Sequence, residues 1–135
     1  MTYKFQKLEI YQLALEYVGL VYDVADKLPG KENFNLKSQI TRAATSVALN
    51  IAEGSTGQSD PEQSRFLGMA LRSLVETVAC QDLIELRQYV TADGLRTSRE
   101  LGSKLFAKIQ SMKRFLGSTP DDGGRMTAGR RATRS

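Results

Sequence analysis

The stretch LKSQITRAATSVALNIAEG, Leu36 to Gly54, decides the fold. At about 100° per residue, Leu36, Ile40, Ala43, Val47, Ile51 and Gly54 form one apolar stripe spaced by threes and fours. Gln39, Arg42, Ser46, Asn50 and Glu53 form a second stripe beside it. A third stripe, Thr41, Thr45, Ala48 and Ala52, holds only small residues. A surface helix normally sets an apolar face against a strongly charged one. This segment has little charge on any face, which predicts a helix buried round most of its circumference.

Outward from it, the same period recurs three times. A first helix is expected from about Phe5 to Leu28, stopped by Pro29 and Gly30. Its main stripe is Tyr11, Ala14, Leu15, Val18, Tyr22 and Ala25, and a second apolar row is Leu13, Tyr17, Leu20 and Val24. One stripe is enough to join a bundle. The second row reads either as a subunit interface or as the partly exposed edge of the bundle. A third helix is expected from about Pro61 to Tyr89, capped by Ser59 or Asp60. Its inner residues are Phe66, Leu67, Ala70, Leu74, Thr77, Val78 and Ile84, with Arg65, Arg72 and Glu76 on a separate side. After a turn at residues 90–94, the fourth helix carries the cleanest pattern, Ser98, Leu101, Gly102, Leu105, Ile109, Met112 and Leu116, and stops at Gly117.

Four amphipathic helices with short connections and no strand pattern give an all-α, up-down-up-down antiparallel four-helix bundle over residues 1–117. Residues 118–135 lose the period and read as a disordered basic tail. Arg125, Arg130, Arg131 and Arg134 stand there against Asp121 and Asp122, so half of the net charge of +4 belongs to this segment. These arginines are candidate phosphate contacts, with plain solvation as the alternative. The bundle itself is close to charge-balanced, unlike most nucleic-acid binders.

Composition removes most catalytic chemistry. There is no histidine, hence no Ser/His/Asp or Cys/His arrangement. The single cysteine, Cys80, cannot form an intramolecular disulfide, and it reads as a small apolar residue of the third helix. No apolar run approaches the roughly 20 residues that cross a membrane, and the N-terminus lacks a signal-peptide core. A cytoplasmic setting is expected. Glu53 and Glu76 do not make a metal or acid/base pair, because a di-metal bundle needs several inward carboxylates and Glu-x-x-His units. Gly54-Ser55-Thr56-Gly57 lacks the lysine and preceding strand of a phosphate loop. No catalytic residue, cofactor, metal or small-molecule substrate is expected. Arg42, Asn50, Glu53 and Glu76 read instead as a polar network or subunit seam, with Arg42 meeting Glu76 or a glutamate of a neighbouring chain.

Three motifs in order resemble the bacterial four-helix bundle family of 23S ribosomal-RNA intervening-sequence proteins. In the second helix they are Ser38-Gln39-Ile40, Arg42-Ala43-Ala44, Ser46 and Asn50-Ile51-Ala52-Glu53-Gly54. In the third they are Arg65-Phe66-Leu67, Ala70, Ser73-Leu74 and Glu76, and near the N-terminus Phe5, Leu8 and Tyr11 follow an F-x-x-L-x-x-(W/Y) opening. The likeness covers about residues 5–117. Ala48 stands where the family often has proline, which implies a straighter helix. Leu49 stands where it has a small polar residue. The resemblance implies a homo-oligomer, commonly a homopentamer. It also implies kinship with accessory proteins of diversity-generating retroelements, which form rings and bind a reverse transcriptase and nucleic acid. The expected function is therefore a non-enzymatic assembly or interaction scaffold, with RNA or ribosome association as a further expectation. The alternative is a nucleic-acid-binding accessory factor of a reverse transcriptase system, with RNA or DNA as partner.

Overall fold

The computed structural model describes residues 2–56 and 59–118. Four α-helices account for most of them: α1 Glu9–Ala25, α2 Leu36–Gly54, α3 Asp60–Leu86 and α4 Ala92–Ser118. Short 3-10 turns at Lys4–Lys7 and Gly30–Glu32 precede α1 and α2. Each helix packs on the next, and α4 returns to α1, so α1 lies diagonally opposite α3. The Tyr89 hydroxyl donates to Glu32 Oε2 at 2.8 Å, tying the α3–α4 turn to the α1–α2 turn at one end of the bundle. That bond is the main reason the Glu32 carboxyl titrates below its ordinary range.

α2 behaves as its stripes predict. Every residue of the apolar stripe is buried, Ala44 and Ala48 join it, and only Gln39, Arg42, Leu49 and Glu53 are exposed. With alanine at position 48 the helix runs unbroken to Gly54. A Cβ at Gly54 would stand 2.8 Å from Phe66 Cβ, so glycine here allows α2 to approach α3 closely.

α1 departs from the expectation. The chain turns at Leu8, which is extended, so the helix starts at Glu9. It ends at Ala25, where bonds from Lys27 to Val24 and from Leu28 to Ala25 tighten the last turn before Pro29. The buried face is Ile10, Ala14, Tyr17, Val21, Val24 and Ala25. It falls between the two rows read from the sequence. Tyr17 and Val24, placed with Leu13 and Leu20 as subunit-interface candidates, are 0% and 4% exposed within their own chain, whereas Leu15 and Tyr22 of the supposed main stripe are 45% and 44% exposed. Periodicity measures an arc of apolar residues. The helices on either side choose which part of the arc is covered.

α3 starts as its cap predicts, with Ser59 Oγ accepting from the Glu62 N–H and Pro61 in the first turn. It ends three residues earlier than expected, because Gln88 adopts φ 63°. The Gln88 N–H then reaches Glu85 O at 2.9 Å and the Tyr89 N–H reaches Ile84 O at 3.1 Å. This is the Schellman arrangement, built on a residue other than glycine. Val78, expected inside, is 41% exposed, while Cys80 and Gln81 are buried. Burial pushes the Cys80 thiol up, which keeps it unreactive.

A buried polar chain joins three helices at the centre. Tyr17 Oη of α1 lies 2.7 Å from Thr77 Oγ1 and accepts from Gln81 Nε2 at 3.1 Å, both on α3. The Thr77 hydroxyl donates to Leu74 O at 2.6 Å, so the Tyr17 proton is the one shared with Thr77. Gln81 spends its second N–H on Thr77 O at 3.2 Å, and its Oε1 accepts from Ser98 Oγ of α4 at 2.6 Å. Every side-chain proton of the set has an acceptor, the condition under which buried polar groups are tolerated. Burial raises the Tyr17 pKa, so the phenol stays neutral. Its ring lies under Gly102, where a Cβ would stand 2.9 Å from Tyr17 Cε1.

Three measurements check this account. Gln88→Gly removes a left-handed residue with a side chain and should stabilise the fold by about 0.5–1 kcal/mol in denaturant unfolding. Tyr17→Phe leaves a Gln81 N–H without an acceptor and should cost about 1–3 kcal/mol. Gly102→Ala should cost a similar amount, about 1–3 kcal/mol, by overpacking. The raised pKa also has a sign. The unfolded phenol ionises near 10, so folded-state preference for the neutral form is present below that pH and is lost as pH rises through the higher folded value. Stability of the parent should therefore fall more steeply above pH 10 than that of Tyr17→Phe.

Candidate assembly surface

α3 has an apolar inner side and an outer side that exposes apolar residues among charged ones. Its inner side buries Leu67, Ala70, Leu74, Thr77, Gln81 and Ile84. Its outer side exposes Met69 at 38%, Val75 at 55%, Val78 at 41%, Leu83 at 47% and Leu86 at 74%. A helix facing only water usually carries fewer exposed apolar residues, which makes this side of α3 the candidate surface.

On one flank the outer side of α3 meets α2. Ser73 Oγ donates to Ser46 Oγ at 2.9 Å, and Asn50 Nδ2 donates to Ser46 O at 2.9 Å and to Ser46 Oγ at 3.0 Å. Asn50 thus bonds within α2, to the serine that meets α3, while Arg42, Glu53 and Glu76 take no part in these bonds. All three side chains are exposed, and among the described residues no ion pair joins Arg42 to Glu76. Small serines fill the seam, so the longer charged side chains point outward, where water solvates them. Leu49 stands on the same exposed strip of α2, 61% exposed.

On the other flank α3 and α4 enclose an open groove of about 460 Å3. Val75, Val78, Phe106 and Ala107 wall it, and the Tyr17 ring beneath Gly102 forms its floor. Arg99 closes one end. Its Nη2 donates to Asp82 Oδ1 at 3.0 Å and to Glu85 Oε1 at 3.2 Å, leaving that end with one net negative charge.

The remaining candidates sort as follows. Leu13 and Leu20 are half-buried on α1. Arg125, Arg130, Arg131 and Arg134 lie outside the described residues, as does the rest of the expected tail beyond Ser118. Among the described residues no group of three or more acidic, cysteine or histidine side chains is placed to hold a metal ion. No helix among them is long and apolar enough to cross a membrane. The polar chain through Gln81 escaped the sequence reading, although Thr77 and Gln81 share an i,i+4 face with Leu74 and Ile84. The groove left no pattern in the sequence, because its two walls come from different helices.

No curated protein matches the chain. A crystal structure of a protein of unknown function from the S23 ribosomal protein family, from Bacteroides thetaiotaomicron, superposes with a TM-score of 0.72. It shares 22% sequence identity and covers 78% of this chain and 98% of its own, a likeness that shows the fold. The family model described as 23S rRNA-intervening sequence protein matches residues 6–111. With the three ordered motifs on α1, α2 and α3 and a four-helix bundle built from them, the chain belongs to the 23S rRNA-intervening sequence protein family.

Proposed function

We propose that this protein is a non-enzymatic, cytoplasmic interaction scaffold that assembles with copies of itself through the outer surface of α3. The observation that carries this reading is the apolar outer face of α3, where Met69, Val75, Val78, Leu83 and Leu86 meet solvent in the single chain. At about 25 cal/mol per Å2 of apolar surface buried, covering such a face is a substantial driving force for association. Charges on the adjoining strips with no ion-pair partner among the described residues, Arg42 and Glu53 of α2 and Arg72 and Glu76 of α3, supply a rim that sets orientation. The family resemblance makes a homopentamer the expected form.

One further observation favours nucleic acid as an additional partner. The exposed side of α4 carries Arg96, Lys104 and Arg114 against two acids, Glu100 and the Asp93 that pairs with Arg96. Lys104 and Arg114 have no ion-pair partner among the described residues. Assembly repeats this strip in each copy, so a modest charge becomes a larger one.

Light scattering at micromolar concentration tests the scaffold. The expected mass is that of a homopentamer of 15.0 kDa chains. The double variant Val75→Asp/Leu83→Asp should run as a monomer with unchanged helical circular dichroism, since both residues are exposed in the single chain. A monomeric parent protein overturns the reading. For nucleic acid, Lys104→Glu/Arg114→Glu should weaken binding to RNA or DNA, and binding by the parent should fall steeply between 50 and 200 mM salt. Absence of binding at low salt removes that partner.

A further inference from the structure

Lys113 of α4 is a cation held without a carboxylate. Its side chain crosses to α3, where Nζ donates to Ser64 Oγ at 3.2 Å. The residue is half-buried, and no acidic group pairs with it among the described residues. Glu62, two residues before Ser64, is taken by Arg65 at 2.6 Å. A charge drawn partly out of water normally sits beside an opposite one. The surroundings make room for this lysine. At Gly68, one turn after Ser64, a Cβ would stand 3.3 Å from Lys113 Cε, the one atom within 4 Å that it would meet. Glycine inside a helix lowers its stability, and here the space it leaves is filled by the lysine stem.

Charge is unevenly placed along the bundle. Residues 2–17, 45–56, 59–73 and 105–118 form the half nearer Ser118 and carry seven Lys and Arg against five Asp and Glu. Residues 18–44 and 74–104 form the other half and carry eight of each. Beyond Ser118 the sequence adds four Arg against two Asp. The whole net charge of +4 therefore belongs to Lys113's half of the bundle and to the sequence that follows it. Lys104, Lys113 and Arg114 are strung over about 15 Å of α4, at 1.5 Å per residue. Cations in a line suit a row of phosphates better than a single headgroup.

Resting on the nucleic-acid reading above, we infer that Lys113, steadied by Ser64 and given room by Gly68, is a preformed contact for a backbone phosphate of RNA or DNA. The phosphate supplies the negative charge that the fold withholds. A cation already held in place loses little freedom when the strand arrives. Such a contact positions the strand and reads no base.

Binding of a fluorescein-labelled single-stranded RNA to the full chain, followed by anisotropy across a salt series, tests the contact. Lys113→Gln keeps a polar side chain and removes the charge. It should weaken binding roughly tenfold at 50 mM salt and lower the log–log salt slope by about 0.7, with unchanged helical circular dichroism. Ser64→Ala keeps the charge and frees the side chain, so it should weaken binding roughly twofold to threefold with the slope unchanged. Lys31→Gln, in the charge-balanced half, should change neither quantity. A parent protein that binds RNA as tightly as Lys113→Gln does overturns the contact and leaves the nucleic-acid reading standing. An equal loss in Lys31→Gln overturns it too, since any surface charge would then serve. Ser64→Ala with parent affinity overturns the preformed geometry. A parent protein that binds neither RNA nor DNA, even one that binds phosphatidylserine vesicles, overturns both the contact and the reading beneath it.

Discussion

The hydroxyl group of Tyr17 is the constraint on which the interior depends. A phenol at the centre of a small bundle must find hydrogen-bond partners, since leaving it unsatisfied costs more than the bond itself supplies. Here the partners come from α3, and a further link reaches α4 through Gln81 and Ser98. Three helices are thereby held in one rotational setting and one vertical register. Apolar contacts alone would tolerate small slips, because one leucine fills a space much as another does. The polar chain does not tolerate them, because its hydrogen bonds need their partners within a few tenths of an ångström of the right distance. Gly102 follows from the same requirement: the ring needs the space a side chain on α4 would fill.

That interior setting dictates what faces outward. With Thr77 and Gln81 turned inward to meet Tyr17, Val75 and Val78 of α3 are turned towards the groove beside α4, and Leu83 and Leu86 towards solvent. The groove and the exposed face are therefore consequences of the same rotation. The bundle satisfies its interior polar groups within one chain but leaves an apolar face uncovered.

In the proposed assembly, the apolar residues of this surface contribute affinity and the charged residues at its edges contribute orientation. The Cys80 thiol is buried, Glu53 and Glu76 are exposed, and the Glu76 charge adds to the burial that pushes the thiol up. Membership of the 23S rRNA-intervening sequence protein family agrees with the architecture at every helix that the family model spans.

The sequence by itself determined the number of helices, the stop at Pro29, the start of α3 at Pro61, the buried stripe of α2 and, on α4, the buried Ser98, Gly102, Leu105 and Ile109. Each depends on local spacing, caps and breakers, and these act within a few residues. Three things were decided only by tertiary structure. The rotation of α1 depends on Tyr17 finding Thr77, a partner 60 residues away that no period reveals. The end of α3 depends on Gln88 accepting a left-handed conformation, which the bonds to Glu85 and Ile84 support. The groove depends on α3 and α4 lying side by side. The stripe of Arg42, Asn50 and Glu53 shows the division within a single helix. Its spacing placed the three residues on one face, but the structure half-buries Asn50 against Ser46, the serine that Ser73 of α3 reaches, and leaves the two charges in water, because a short amide can bond the backbone beside it while a long charged chain is better solvated outside.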